Sequence, residues 1–209
     1  MNTHRAVHEK MAALIAKKTH AKVFFPIYPK LPGSTVLPCV AVLNNFLSFI
    51  LKQGKVILVG DSSGAALALA IATEREEVTT IVAISPWLDL RLDEKVASCA
   101  EDKVLCPERL RYLARLWAYD LPYENVKLSP IYGDYSGKRI FLFAGEKEIF
   151  APYARAFFKM NADKGVDIHY SEGESMQHDY PLLPIPEGRS ARKRICEIIS
   201  EELYKREEV

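Results

Sequence analysis

Residues Gly60-Asp61-Ser62-Ser63-Gly64 place a serine between two glycines at a spacing suited to nucleophilic catalysis. They follow an apolar run and precede an alanine-rich run, which predicts a sharp turn from a strand into a helix. Such a turn strains the serine backbone, and we expect both glycines to let strand and helix approach closely. The helix N-terminus behind Ser62 favours negative charge developing in front of it. The alternative is an ordinary helix N-cap by Asp61 or Ser62.

A serine nucleophile needs a base, and the sequence contains five histidines. His178 lies in EGESMQHDYPLL, a polar loop after a predicted strand, and active sites commonly occupy loops at the carboxyl ends of parallel strands. We therefore take His178 as the candidate base. The other histidines are expected on the surface near the first helix (His4, His8 and His20) or in the core or at a sheet edge (His169).

The base in turn needs an acid that orients its ring. The loop after the predicted strand 139–145 offers Glu146 and Glu148, and the residues alone leave both candidates open. Asp179 directly follows His178, which places it too close in sequence to orient the ring, so we expect its side chain to face solvent.

Strands and helices alternate along the chain. Short β-branched or aromatic runs predict strands at 23–28, 56–61, 79–86, 139–145 and 167–173. Helical patterns lie near 4–18, 36–53, 62–74, 150–164 and 188–205. This order predicts a mostly parallel sheet with helices on both faces, in a single domain over residues 1–209.

Residues 87–138 interrupt the alternation without a convincing strand. Within them LCPERLRYLARLWAYDL predicts an amphipathic helix. The insertion is either a cap over a site or a structural excursion. Four aromatic side chains near it could line an acyl pocket or belong to the core: Trp87, Trp117, Tyr119 and Tyr132.

Composition argues against several classes of function. A net charge of +1 gives no reason to expect a nucleic acid or an anionic membrane surface as partner. The four cysteines form no CxxC pair, so we expect reduced thiols in a cytoplasmic protein. No signal peptide is visible, and no apolar run reaches the roughly 18 residues that a membrane span needs. No phosphate-binding loop or GxGxxG motif is present, and no cofactor or metal is expected.

The ordered series of motifs resembles the hormone-sensitive-lipase-like branch of the α/β-hydrolases over nearly the whole chain. The matching segments are FFPIYPKLPG, VGDSSGAALALA, ISPWLDL, LSPIYGDYSG, RIFLFAGEKEIF and SMQHDYPLL. Ser63 and Ala65 depart mildly from the family's G-D-S-A-G-G turn. The chain order of serine, acid and histidine is also that of the family.

This resemblance implies a serine hydrolase of short-chain carboxylic esters, with a small-molecule ester as its partner. It implies Ser62 as nucleophile, His178 as general base and the backbone N–H of Ser63 as an oxyanion donor. Registering the helix YARAFFKM on the family's helix places Glu148 at the catalytic acid position, with Glu146 as second choice.

One departure from the family is serious, because the sequence contains no His-Gly-Gly motif for the oxyanion hole. We expect an N-terminally shortened hydrolase, and each lost oxyanion donor can lower the rate about 10²–10³-fold. The shortened sheet would pair 23–28 with 56–61 or leave an exposed edge that favours a homo-oligomer. The alternative functions are a catalytically impaired remnant or interaction protein, and a weaker one, an acyl transferase or peptidase.

Overall fold

The structure is a computed structural model that describes residues 6–94 and 101–205. Within those residues, four parallel strands form one sheet in the order β1-β2-β3-β4: Ile57–Asp61 (β1), Thr80–Ile84 (β2), Arg139–Gly145 (β3) and Asp167–Gly173 (β4). Six α-helices accompany them in the same residues: Ala6–Thr19 (α1), Val36–Leu51 (α2), Ser63–Thr73 (α3), Pro107–Ala118 (α4), Ala151–Asp163 (α5) and Pro186–Tyr204 (α6). The predicted α/β fold with a parallel sheet is confirmed.

The centre of the sheet is apolar on both faces. Every residue of β2 is buried, as are Ile140–Gly145 of β3. Because successive side chains of a strand point to opposite faces, continuous burial means that both faces of the sheet are covered here. The register sets Val82 between Val59 and Phe141. This rigid centre positions the loops that follow the strands.

Helix α3 packs closely against β1 and β2. Its residues Ala65–Ala72 are all buried, and most are alanine, so the helix backbone can lie close to the sheet. Helix α5 contacts β3 and β4, and α2 contacts α3. The turn from β1 into α3 is therefore stabilised by the packing of the strand that precedes it and of the helix that follows it.

The strand predicted at 23–28 is wrong. Residues 20–30 carry no regular secondary structure, and Ile27 is 73% exposed. Pro26 and Pro29 lack the N–H groups that a ladder needs, so this apolar run cannot pair regularly. Within the described residues β1 is consequently an edge strand, which matches the second of the two arrangements anticipated from the sequence.

The contacts divide the described residues into two compact units. Tyr28–Asp179 contains the sheet and α2 to α5. Residues 6–27 and 180–205 form the other unit, in which α1 and α6 pack together and the hydroxyl of Tyr204 donates to the carbonyl oxygen of Thr19 at 2.8 Å. The single-domain organisation stays a prediction, as does the cap role of 87–138. The amphipathic helix predicted in that insertion is present as α4.

Three of the four cysteines lie in the part of the chain that the structure describes. Cys39, Cys106 and Cys196 are free thiols, whereas Cys99 lies outside the described residues. In the described part of the chain, no helix combines the length and apolar character required to cross a membrane.

Candidate active site

Ser62 lies at the junction of β1 and α3 with a strained backbone. Its φ of 52° and ψ of −119° fall in a region that non-glycine residues rarely adopt, at a cost of about 1–3 kcal/mol. Hydrogen bonds hold this conformation: the Ser62 N–H donates to the carbonyl of Ile84 at 2.8 Å, and its carbonyl accepts from Ala66 at 3.1 Å. The Ser62 side chain makes no capping hydrogen bond, so the N-cap interpretation is wrong for this hydroxyl.

The two glycines that flank Ser62 differ in how much space an added side chain would have. A Cβ added at Gly60 would lie 2.6 Å from backbone atoms of Gly64 and Ala65, which is impossibly close. A Cβ added at Gly64 would meet only the hydroxyl of Tyr28 at 3.6 Å, an ordinary contact. The close approach of strand and helix therefore requires Gly60 alone, and the expectation for Gly64 was wrong.

We expect Gly60→Ala to lower the free energy of unfolding by about 1–3 kcal/mol, because the added methyl group must displace helix backbone. Urea unfolding followed by circular dichroism measures this change. Gly64→Ala is the matched control, since alanine in a helix is favoured over glycine by about 0.5–1 kcal/mol and the site has room. Equal stability of the two variants would contradict the steric explanation.

The structure brings Ser62, His178 and Glu148 together. His178 lies in the loop after β4, is 4% exposed, and places Nε2 3.1 Å from Oγ of Ser62. On the other side of the ring, Nδ1 lies 3.3 Å from Oε2 of Glu148, which is 1% exposed in the loop after β3. The three candidate residues thus lie side by side at the carboxyl edge of the sheet, where parallel sheets carry their sites.

The two candidate acids have different surroundings. Glu146 is exposed, and its Oε2 accepts a hydrogen bond from the backbone N–H of Ser175 at 2.7 Å. Its carboxylate therefore fastens the loop after β4, whereas Glu148 alone of the pair faces the ring of His178.

Asp179 does not face solvent as expected. Its side chain is only 21% exposed, and Oδ2 lies 3.2 Å from Nε2 of His178. A φ of 56° puts Asp179 in the left-handed region, and its N–H donates to Oγ of Ser85 at 3.1 Å. The expectation failed because it assumed an ordinary extended loop, in which neighbouring side chains diverge.

Two carboxylates control the charge of the buried imidazole. Burial of His178 disfavours the charged ring, but the negative charges of Asp179 and Glu148 outweigh this effect. Together they raise the pKa of His178 from 6.5 to about 9, with a smaller contribution from Asp102. The raised pKa favours the charged form of the ring.

A segment before α4 joins the acid loop to the histidine loop. Asp102 accepts a hydrogen bond from the N–H of Ile149 at 2.9 Å, next to Glu148. The Gln177 side chain accepts from the N–H of Lys103 at 2.7 Å and donates to the carbonyl of Glu101 at 3.2 Å. Sequence reasoning missed these positioning contacts because they join residues far apart in the chain.

Aromatic rings pack behind the candidate base. The ring of Phe150 meets the imidazole edge-on at a centroid distance of 5.4 Å, and Trp87 stacks on Phe150 at 5.7 Å. Of the other aromatic candidates, Trp117 is buried in the core, and Tyr119 and Tyr132 are exposed. Of these four aromatic residues, Trp87 thus packs behind His178, through Phe150.

Ser63 begins α3, so its backbone N–H has no partner within the helix. Over residues 6–94 and 101–205, no cluster of three or more His, Cys, Asp or Glu side chains could hold a metal ion. The chemistry that this arrangement can perform is nucleophilic attack by an activated serine hydroxyl.

Known proteins that are similar in sequence are named as ester hydrolases. The chain is 25% identical to an esterase of Acinetobacter venetianus, over 94% of this chain and 69% of the relative. It is 28% identical to an acetyl-hydrolase of Streptomyces hygroscopicus, over 88% of this chain and 66% of the relative. The chain thus spans about two thirds of the length of these relatives.

Solved structures share the fold. A Staphylococcus aureus protein with an inferred esterase activity superposes with a TM-score of 0.90 at 28% identity, covering 96% of this chain and 72% of that chain. A hormone-sensitive lipase from a metagenome library shares the fold with a TM-score of 0.82 at 22% identity, covering 91% and 70%. The family model described as the alpha/beta hydrolase fold matches residues 1–182. The chain therefore belongs to the α/β-hydrolase family and resembles its hormone-sensitive-lipase-like branch.

Proposed function

We propose that this chain hydrolyses short-chain carboxylic esters, with Ser62 as nucleophile, His178 as general base and Glu148 as the orienting acid. The observation that carries the proposal is the 3.1 Å approach of Oγ to Nε2 at a strained strand-to-helix turn. The esterase and acetyl-hydrolase relatives support ester hydrolysis, and the acetyl-hydrolase supports a short acyl group.

Acylation would begin when Oγ of Ser62 attacks the acyl carbonyl carbon while Nε2 of His178 takes the hydroxyl proton. The tetrahedral intermediate carries its negative charge on the former carbonyl oxygen, which the N–H of Ser63 would stabilise. When the intermediate collapses, the ester C–O bond breaks and His178 protonates the leaving alkoxide. An alcohol departs, and the acyl group remains on Ser62.

Deacylation would reverse these roles with water as nucleophile. His178 takes a proton from water while the water oxygen attacks the acyl carbon. When the bond between Oγ of Ser62 and the acyl carbon breaks, His178 returns a proton to Oγ and the carboxylic acid leaves. Glu148 would keep the second ring proton on Nδ1, so that the lone pair of Nε2 faces the reacting hydroxyl. The buried position of Glu148 excludes water from this contact and strengthens it.

The competing function is a catalytically impaired hydrolase remnant or interaction protein. It stands beside the esterase because this sequence contains no His-Gly-Gly motif, and the resemblance matches the backbone N–H of Ser63 to one of the family's oxyanion donors. In that case Ser62 would retain its nucleophilic setting without efficient turnover.

A fluorophosphonate probe tests the proposal and separates the two functions. We expect intact-mass analysis to show a single adduct, formed when Oγ of Ser62 bonds to phosphorus and fluoride leaves, and we expect Ser62→Ala to remain unlabelled. Labelling accompanied by turnover of p-nitrophenyl acetate supports the esterase. Labelling without turnover supports the remnant, and an unlabelled wild-type chain contradicts both assignments of Ser62.

A further inference from the structure

Each ring nitrogen of His178 lies within ion-pair distance of a carboxylate oxygen. Nδ1 lies 3.3 Å from Oε2 of Glu148, and Nε2 lies 3.2 Å from Oδ2 of Asp179. A neutral imidazole carries one N–H and one lone pair, so it can donate to only one of these carboxylates, and its lone pair would oppose the other. The arrangement is electrostatically favourable on both sides only when the ring carries two protons.

We propose that Asp179 is a second carboxylate partner of the catalytic histidine and that it holds His178 as an imidazolium in the free protein. In this state Nε2–H is shared between Oδ2 of Asp179 and Oγ of Ser62, which lies 3.1 Å away. The serine hydroxyl then accepts a hydrogen bond from the ring and cannot pass its proton to it. The catalytic consequence rests on the proposed esterase function, whereas the charge state does not.

The charged surroundings of His178 agree with this state. Glu148 faces the ring from the loop after β3, Asp179 from its own loop, and Asp102 adds negative charge from the segment before α4. Lys147, the cation next to Glu148 in sequence, has its ammonium group 2.9 Å from a carboxylate oxygen of Glu101. Burial lowers the pKa of His178, and the charges of Asp179, Glu148 and Asp102 outweigh it and raise the pKa to about 9.

This arrangement has two opposite catalytic effects. Below about pH 9 the ring is mostly protonated, so the free base becomes about tenfold scarcer with each pH unit. Once the ring is neutral, however, the same carboxylate stabilises the imidazolium that forms when Ser62 attacks. We therefore expect Asp179→Asn to move the acid limb of kcat/KM down by about 1–2 pH units and also to lower the alkaline plateau.

Nuclear magnetic resonance of the whole chain with isotopically labelled histidine tests the charge state without substrate. The Cε1–H resonance of His178, assigned by its loss in His178→Ala, is followed from about pH 5 to about pH 10. We expect a wild-type midpoint near 9 and a midpoint about 1–2 units lower in Asp179→Asn. Asp163→Asn, an exposed change at the far end of α5, removes the same charge and should leave the midpoint unchanged.

Asp179→Glu is a second variant that keeps the test decisive if Asp179→Asn does not fold. It retains the carboxylate, so the midpoint of His178 should stay well above 6.5. A wild-type midpoint at or below 6.5, or one that is the same in wild type and in folded Asp179→Asn, overturns the proposal. Because no substrate is present, loss of the esterase hypothesis would leave this result standing. A midpoint near 9 in a chain without turnover would show the charge state without the catalytic use.

Discussion

Ser62→Ala is expected to lower kcat/KM for p-nitrophenyl acetate and p-nitrophenyl hexanoate by about 10³-fold or more. The reason is that Oγ of Ser62 would form the covalent bond to the acyl group, and the strained turn holds this atom 3.1 Å from Nε2 of His178. Water attacking directly would retain only the contributions of substrate binding and oxyanion stabilisation. Initial rates with both esters, measured at pH values on either side of 9, give the ratio and the acyl preference.

Ser136→Ala is the matched control for this loss. Ser136 is an exposed serine whose hydroxyl donates to Asp134 in the approach to β3, so its removal should leave the rate within a factor of about two. Equal hydrolysis by wild type and Ser62→Ala would eliminate the serine mechanism. If neither wild type nor Ser62→Ala hydrolyses the esters, the result favours the catalytically impaired remnant, which keeps the strand-to-helix turn without catalysis.

Glu148→Gln is expected to lower kcat/KM by about 10³–10⁴-fold without a comparable change in KM. Glutamine keeps the size of the side chain but removes the charge that, in the proposed mechanism, holds a proton on Nδ1 of His178. A neutral ring in this variant would instead place its proton on Nε2, where Asp179 attracts it. That tautomer has no lone pair directed at Ser62, so the base is disabled even though the ring remains in place.

Glu146→Gln discriminates between the two candidate acids, since it makes the same chemical change two residues away. The carboxylate of Glu146 accepts a hydrogen bond from the backbone N–H of Ser175, and a glutamine side-chain oxygen can accept the same bond. We therefore expect Glu146→Gln to remain within about threefold of wild type. A larger loss in Glu146→Gln than in Glu148→Gln would reverse the assignment of the acid. Circular dichroism of both variants checks that the fold is retained.

The local part of this structure was predictable from the sequence. The strand-to-helix turn at Ser62 follows from an apolar β-branched run, small residues and an alanine-rich helix, all within the segment 56–72. The four paired strands were recognised because each is a short apolar run bounded by turn residues. The strand predicted at 23–28 failed because pairing depends on a partner and on free N–H groups, and its apolar pattern reports neither.

Tertiary structure decided which side chains meet. His178 could be selected from the sequence as a loop residue, but its distance to Ser62 depends on the order of strands across the sheet. The choice between Glu146 and Glu148 depends on which way each side chain leaves one loop, and residue type carries no such information. Asp179 turns toward the imidazole because its backbone adopts a left-handed conformation. The sequence alone thus determined the chemical groups, whereas only the folded chain determined the distances between them, because Ser62, Glu148 and His178 are remote in sequence and meet only through the order of the strands.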